Sequence, residues 1–367
     1  IFYPFTVLAT DTSKSSIVMD IDSNRVLYEK NADESLHPAS ITKIMTLLII
    51  FDAIDDGSIS PEDTVTVSEH AASMGGSQVF LEPGETQTIE TMIKCIAIAS
   101  ANDACVAMAE HISGSEDAFV QSMNERAEAL GMNNTHFVNC CGLDADGHMT
   151  TARDVAIMSR ELIMAHPAIH DYSCIWMDTI THVTRRGESE FVLNNTNKLL
   201  KQYEWATGLK TGSTSLAKFC LSATARRNDI ELISVIMASP SGKTRVSDSI
   251  ALLNYGYGIC SLYHDNNMPS IDVIPIKGGI KSDISVEYSS QMNYLFTDKY
   301  DASLIESHAE YLEDLEAPVQ KGDVIGQLTY TYDGKFMDSI DIIASESIEK
   351  AGYGDYINSL WQCFLGN

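Results

Sequence analysis

The sequence predicts an α/β (α+β) chain in two domains, a larger mixed one at residues 1–265 and a smaller all-β one at 266–367. Three observations point there. Two β-rich segments flank Asp22-Ser23-Asn24 inside residues 16–29, a hairpin pattern. Between residues 40 and 112 the text runs to long apolar stretches of helical length. From Leu209 onward strands return, and past a composition change at 262–270 (His264-Asp265-Asn266-Asn267-Met268-Pro269), which reads as a linker, only short strands follow. At 367 residues the chain exceeds one typical domain and can bury a large core.

Ile1 to Leu8 fits a first strand, a signal remnant or an expression scar equally well. After the 16–29 hairpin, Pro38-Ala39-Ser40 opens an apolar run through Ile54 with Ile44, Met45, Leu47, Leu48 and Phe51 inside it, which predicts a buried helix starting at Ser40. Serine is a favoured helix-start residue, so a cap is the plain reading of Ser40 in isolation. Met74 to Gly84 reads as an ordered loop of the kind that shapes a cleft rim. Thr88–Ala99 and Asp103–Ile112 read as two more helices, leaving Ser100-Ala101-Asn102 at their junction. Phe219–Ala225, a turn at Arg227-Asn228-Asp229 and Leu232–Met237 predict an antiparallel hairpin beginning at Lys210-Thr211-Gly212. A helix over Arg245–Tyr257 follows. Val324–Tyr332, Asp333-Gly334 and Lys335–Ile343 make a strong hairpin signal, because Asp-Gly suits a type I′ turn. Residues 270–345 read as a small β-sandwich. At the end Ile357, Leu360, Trp361 and Phe364 share one helical face, the pattern of a short packing helix or of peripheral membrane association; the absence of Lys and Arg after Lys350 favours packing.

A formal net charge of −27 argues against nucleic acid, whose phosphates call for clustered Lys and Arg. It also disfavours docking on an anionic membrane by charge alone. No apolar run reaches the ~18 residues of a spanning helix. Eight cysteines form no C-x-x-C pair, so zinc and thioredoxin chemistry find no ligand pattern, and neither a metal nor another cofactor is expected. Most of them sit in apolar stretches, as buried free thiols do. The adjacent pair Cys140-Cys141 has no functional reading at this level.

Ser40-Ile41-Thr42-Lys43 carries the chemistry, because two distant partners complete it: Ser100-Ala101-Asn102 and Lys210-Thr211-Gly212. Residues three apart on a helix share a face, so Ser40 Oγ and Lys43 Nζ can meet. A serine hydroxyl is a weak nucleophile until a base takes its proton. Lysine, with a reference pKa of about 10.4, serves only when neutral, and burial beside another cation such as Lys210 favours that form. Helix-end N–H groups at Ser40 suit a developing oxyanion. Ser100 can relay a proton, Asn102 can hold a substrate amide, Lys210 and Thr211 can bind a terminal carboxylate, and Gly212 lets a ligand approach the strand. An extended peptide would add beside that strand.

The ordered triple is the motif set of serine β-lactamases and penicillin-binding proteins. The chain resembles the exported low-molecular-mass penicillin-binding proteins, D-alanyl-D-alanine carboxypeptidases of the serine type, from residue 16 to 345, through Pro38 to Thr46, Gly75-Gly76-Ser77, Ala99 to Ala104 and Gly208 to Gly212. The resemblance implies a penicillin-binding fold, with a central antiparallel sheet, a helical subdomain and a C-terminal β domain. It implies removal of the terminal D-Ala from peptidoglycan pentapeptide stems through an acyl-enzyme, acylation by β-lactam antibiotics, and a place outside the cytoplasm. It also implies an oxyanion hole from the N–H groups of Ser40 and Ser213, a carboxylate contact from Arg245, and a cleft-lining His148. Lys218 departs from the pattern, standing where a glycine is common.

Two rivals remain. A β-lactamase of the same fold needs a deacylating base, typically in E-x-x-L-N, and Glu190-Phe191-Val192-Leu193-Asn194 matches literally. Its place about twenty residues before Lys210, in what reads as a strand entering the sheet, counts against it. A non-catalytic wall-binding or β-lactam-sensing protein would have no use for Lys43 or Ser100.

Overall fold

The computed structural model describes residues 11–355 and 357, in two compact units, Ile1–Gly258 and Ile259–Asn367. The predicted terminal segments Ile1–Leu8 and 358–367, with most of the Ile357–Phe364 face, lie outside the described residues.

The first unit is built on a five-stranded antiparallel sheet in the order Val26–Lys30, Ser15–Asp20, Ile230–Ser239, Lys218–Arg227, Ala206–Thr214. The first hairpin and the two following Lys210-Thr211-Gly212 form as the sequence predicts. Alternate residues of a strand face opposite ways. Ile17 and Met19 join the large helical core, while Val18 meets the helix Gly242–Ile259 at Gly256, where an added Cβ would lie 2.7 Å from Leu232 and 3.3 Å from Val18. Covered on both faces, the central strands are buried almost throughout.

The helical part comprises Lys43–Asp55, Ile89–Ala97, Asn102–Ser113, Glu116–Ala129 and Ala152–Ala165, which share one core. Thr88, Ser115 and Thr151 cap their helices, each side-chain oxygen accepting a backbone N–H three residues on. The Ala152–Ala165 helix lies against the sheet and ties to it through Ser159 and Ser222, whose hydroxyls are 2.8 Å apart. One boundary is corrected here. The helix after Pro38 does not begin at Ser40: Ala39–Thr42 is a 3₁₀ turn, the α-helix starts at Lys43, and Ser40 caps nothing.

Glu190 is also relocated. It does not lie on a strand entering the central sheet; among the described residues, Met177–Thr184 and Gly187–Asn194 pair only with each other, as a separate ribbon.

The second unit is all-β. Its main sheet runs Val286–Tyr288, Lys335–Ala344, Val324–Tyr332, Ile305–Tyr311. Asp333 and Gly334 both have positive φ (48° and 70°), as a type I′ turn requires. The predicted linker at 262–270 is in part a strand: Ser261–His264 pairs with Asn293–Phe296, because Leu262 and Tyr263 have partners to pack on in Leu295 and Tyr294. Among the described residues no helix is long and apolar enough to cross a membrane.

Candidate active site

Three pieces of chain meet in the first unit. The 3₁₀ turn presents Ser40 and leads straight into Lys43, which is fully buried. Lys43 Nζ lies 3.2 Å from Ser40 Oγ, 2.6 Å from Asn102 Oδ1 and 2.6 Å from the Cys141 carbonyl oxygen. As an ammonium it has three N–H groups for these three acceptors. As a neutral amine it gives two to Asn102 and Cys141 and turns its lone pair to the Ser40 hydroxyl, the arrangement of a general base.

The junction between the Ile89–Ala97 and Asn102–Ser113 helices supplies Ser100 and Asn102, both buried. Ser100 sits at φ 61°, a conformation unusual for a side-chain-bearing residue and frequent at functional sites. Asn102 spans two tasks. Its Oδ1 accepts from Lys43, while its Nδ2 donates to the Gly75 carbonyl at 2.7 Å and its backbone N–H to the Ser77 carbonyl at 2.8 Å, tying the Met74–Gly84 loop to the site. One N–H and one lone pair of the amide stay over for a ligand. Gly76 has to be glycine there, at φ 85°, since a Cβ would fall 2.8 Å from Asn102 Nδ2.

The third piece is the Ala206–Thr214 strand. Lys210 Nζ, buried, donates to Ser100 Oγ at 2.8 Å and to the Thr211 carbonyl at 3.2 Å. Burial first, and then the charge of neighbouring Lys43, push Lys210 well below the ordinary lysine range. Thr211 Oγ1 meets Thr196 Oγ1 at 2.7 Å. Gly212 lies flat against the Ser40 turn, where a Cβ would stand 3.0 Å from Ser40 N, Ile41 N and the Pro38 carbonyl oxygen. Ser213, next on the strand, is exposed. Arg245 reaches under the strand from its helix, Nη1 donating to the carbonyls of Gly212 (3.0 Å) and Cys220 (3.2 Å), while its buried Nε has no partner among the described residues. Burial holds its pKa below the usual value.

These neighbours match a known family. Residues 6–241 match the family described as D-alanyl-D-alanine carboxypeptidase, and residues 263–350 the C-terminal domain of penicillin-binding protein 5. The D-alanyl-D-alanine carboxypeptidase DacF of Bacillus subtilis (strain 168) is 40% identical over 344 residues, 93% of this chain and 87% of that protein. The chain belongs to the D-alanyl-D-alanine carboxypeptidase family. Within it, DacC of Escherichia coli (strain K12) is 32% identical over 368 residues, covering 93% of this chain and 85% of the relative. The solved structure of penicillin binding protein 5 from Haemophilus influenzae superposes with a TM-score of 0.75 at 28% identity, covering 95% of this chain and all of that one. The chain is thus a serine hydrolase with the penicillin-binding fold, of the carboxypeptidase type.

One expectation changes within this family. His148 does not line the cleft. It is 1% exposed, with Nε2 2.8 Å from Thr42 Oγ1 and Nδ1 2.9 Å from the Val138 backbone N. Burial, with His37 and His136 nearby, lowers its pKa to about 4, so the ring is neutral at neutral pH. Glu190 lines a recess of about 340 Å³ with Phe80, Glu82, His182, Arg186 and Phe191, a lining that includes none of Ser40, Lys43, Ser100 and Lys210.

Sequence reasoning missed three contributors. Cys141 and Cys140 act through carbonyls, which hold Lys43 and Thr46 (2.6 and 2.5 Å), while both thiols stay free and buried. Gly142, at φ 86°, leaves room for the Ser40 turn: a Cβ there would be 1.9 Å from the Ala39 carbonyl oxygen. The only sequence signal was the Gly after the cysteine pair. Lys218 adopts φ 59°, which explains why a glycine suits that position.

Proposed function

We propose that this enzyme removes the terminal D-Ala from peptidoglycan pentapeptide stems outside the cytoplasm, through an ester on Ser40, and that β-lactam antibiotics acylate the same oxygen. The observation that carries the reading is Lys43 Nζ, fixed by Asn102 Oδ1 and the Cys141 carbonyl at 2.6 Å each with its remaining direction toward Ser40 Oγ. Lys43 takes the Ser40 proton as Oγ attacks the carbonyl carbon of the penultimate D-Ala. The carbonyl oxygen becomes an oxyanion facing the N–H groups of Ser40 and Ser213. The C–N bond then breaks, and the leaving amine takes a proton through Ser100 and Lys210, which are in hydrogen-bond contact. Water adds to the ester by the reverse order of proton transfers and frees Ser40. The substrate carboxylate is held by Lys210, Thr211 and Arg245, and Asn102 takes the peptide amide.

The experiment is mass spectrometry of the full chain with penicillin, paired with D-Ala release from a peptide ending in Lys-D-Ala-D-Ala. The expected result is a stable penicillin adduct on the peptide containing Ser40 and one D-Ala released per substrate, both lost in Ser40→Ala. Fast penicillin turnover without an adduct identifies a β-lactamase instead. An adduct with no D-Ala release identifies a sensor.

A further inference from the structure

We propose that His148 is a positioning residue for the nucleophile, holding through Thr42 the backbone turn that presents Ser40; the proposal rests on the Ser40 assignment above. The turn is strained at its first residue. Ala39, 1% exposed, has φ 49°, a left-handed conformation that costs an alanine energy unless its surroundings hold it. Its carbonyl is held by the Thr42 hydroxyl at 2.9 Å. Thr42 has one hydroxyl proton, so that bond commits it as donor to Ala39 and leaves it an acceptor toward His148 Nε2 at 2.8 Å.

The other side of the ring decides the tautomer. The Val138 backbone N–H can only donate, and it points at His148 Nδ1 at 2.9 Å, so Nδ1 carries the lone pair and Nε2 the proton. The direction of the chain is therefore set from end to end: Val138 N–H to His148 Nδ1, His148 Nε2–H to Thr42 Oγ1, Thr42 Oγ1–H to the Ala39 carbonyl. Both side chains in this chain, His148 and Thr42, are buried, and the ring lies edge-on to Phe137 at 5.9 Å. The Ala39 carbonyl is also closed in by Gly142, and the Ser40 amide by Gly212, so the peptide that bears both the nucleophile and an oxyanion N–H has no slack. A charged imidazole would leave the Val138 N–H without its Nδ1 acceptor, and burial disfavours that charge.

The test measures the acylation rate constant and the non-covalent Kd for a penicillin separately, with a melting curve for each variant. Thr42→Val keeps the shape and removes the hydroxyl; Thr42→Ser restores it. His148→Asn places an oxygen near Nδ1 but no donor near Thr42, whereas His148→Gln places an amide N–H near Nε2. The expected result is an acylation rate constant lower by about tenfold or more in Thr42→Val and His148→Asn, the loss of roughly one hydrogen bond at the transition state, with Kd unchanged and recovery in Thr42→Ser and His148→Gln. If His148→Asn does not fold, the Thr42 pair decides. A folded Thr42→Val with the wild-type rate constant, an equal loss in Kd, or no recovery in Thr42→Ser overturns the proposal. An adduct mapped away from Ser40 in the wild type would sink the nucleophile assignment instead, which keeps the two failures apart.

Discussion

Arg245 points its guanidinium at two carbonyls and leaves a buried Nε without a partner among the described residues. A buried cation without a carboxylate beside it is costly, and a substrate carboxylate relieves that cost. Arg245→Leu is expected to lower kcat/KM on a D-Ala-D-Ala peptide by roughly 10- to 100-fold, the range for a hydrogen bond to a charged group. Steady-state kinetics of the purified variant check this, and an unchanged kcat/KM removes Arg245 from the site. At this scale the Ser40–Lys43 contact was legible from a three-residue spacing, whereas Asn102 reaches Lys43 across 59 residues and Lys210 reaches Ser100 across 110, contacts that the order of the motifs announced but their spacing did not. Cys141, Gly142 and Thr42 were not legible. They act through a carbonyl, through a missing side chain and through a contact with His148 106 residues away, and none of these leaves a mark in residue type.

Among the elements, the Met74–Gly84 loop shows how a segment without regular structure is held. Asp103, 1% exposed, accepts the backbone N–H groups of Val79 (3.2 Å) and Leu81 (3.1 Å), while its neighbour Asn102 holds Gly75 and Ser77. Asp103→Ala leaves both amides unpaired, at about 1–3 kcal/mol for each buried group. The expected outcome is lower thermal stability together with faster hydrogen exchange at Val79 and Leu81; protected amides in the variant would show that the loop is held otherwise. Helices and strands were legible from periodicity and caps. The start of the Lys43–Asp55 helix was not, because Ser40, which favours a cap by propensity, lies inside a 3₁₀ turn ahead of it. The ribbon at 177–194 shows strand alternation at Ile180 and His182, but nothing local says that it pairs with itself rather than with the central sheet.

On the scale of the molecule, every residue assigned to the site, from Ser40 to Arg245, lies within Ile1–Gly258. A chain of residues 1–258 is therefore expected to be acylated by penicillin at the rate of the full chain, followed by adduct formation over time; a folded fragment that is not labelled would assign the second unit a part in catalysis. Stability also depends on pH through His148. Its folded pKa of about 4, lowered first by burial, lies below the unfolded value of about 6.5, so the unfolded state binds more protons between those values. Its contribution falls as pH drops through that window, by on the order of 3 kcal/mol in total. His37 and His136 oppose the ring's protonation and Asp144 favours it. Melting temperatures of wild type and His148→Gln from pH 7 to 4 should converge as pH falls; parallel curves would refute the assignment.

By itself the sequence determined the family and the α+β class, because these depend on local spacing and on motif order, and it named Ser40 and Lys43 as the pair proposed above for nucleophile and base. The tertiary structure decided what the spacing could not. It moved His148 from the cleft into the core, separated Glu190 from the lysine pair, and turned Cys140-Cys141 from an unexplained pair of thiols into two backbone acceptors. The physical reason is the same in each case. Burial and hydrogen-bond partners are set by chain segments far apart in sequence, and a residue's type records what it can do but not what it will face.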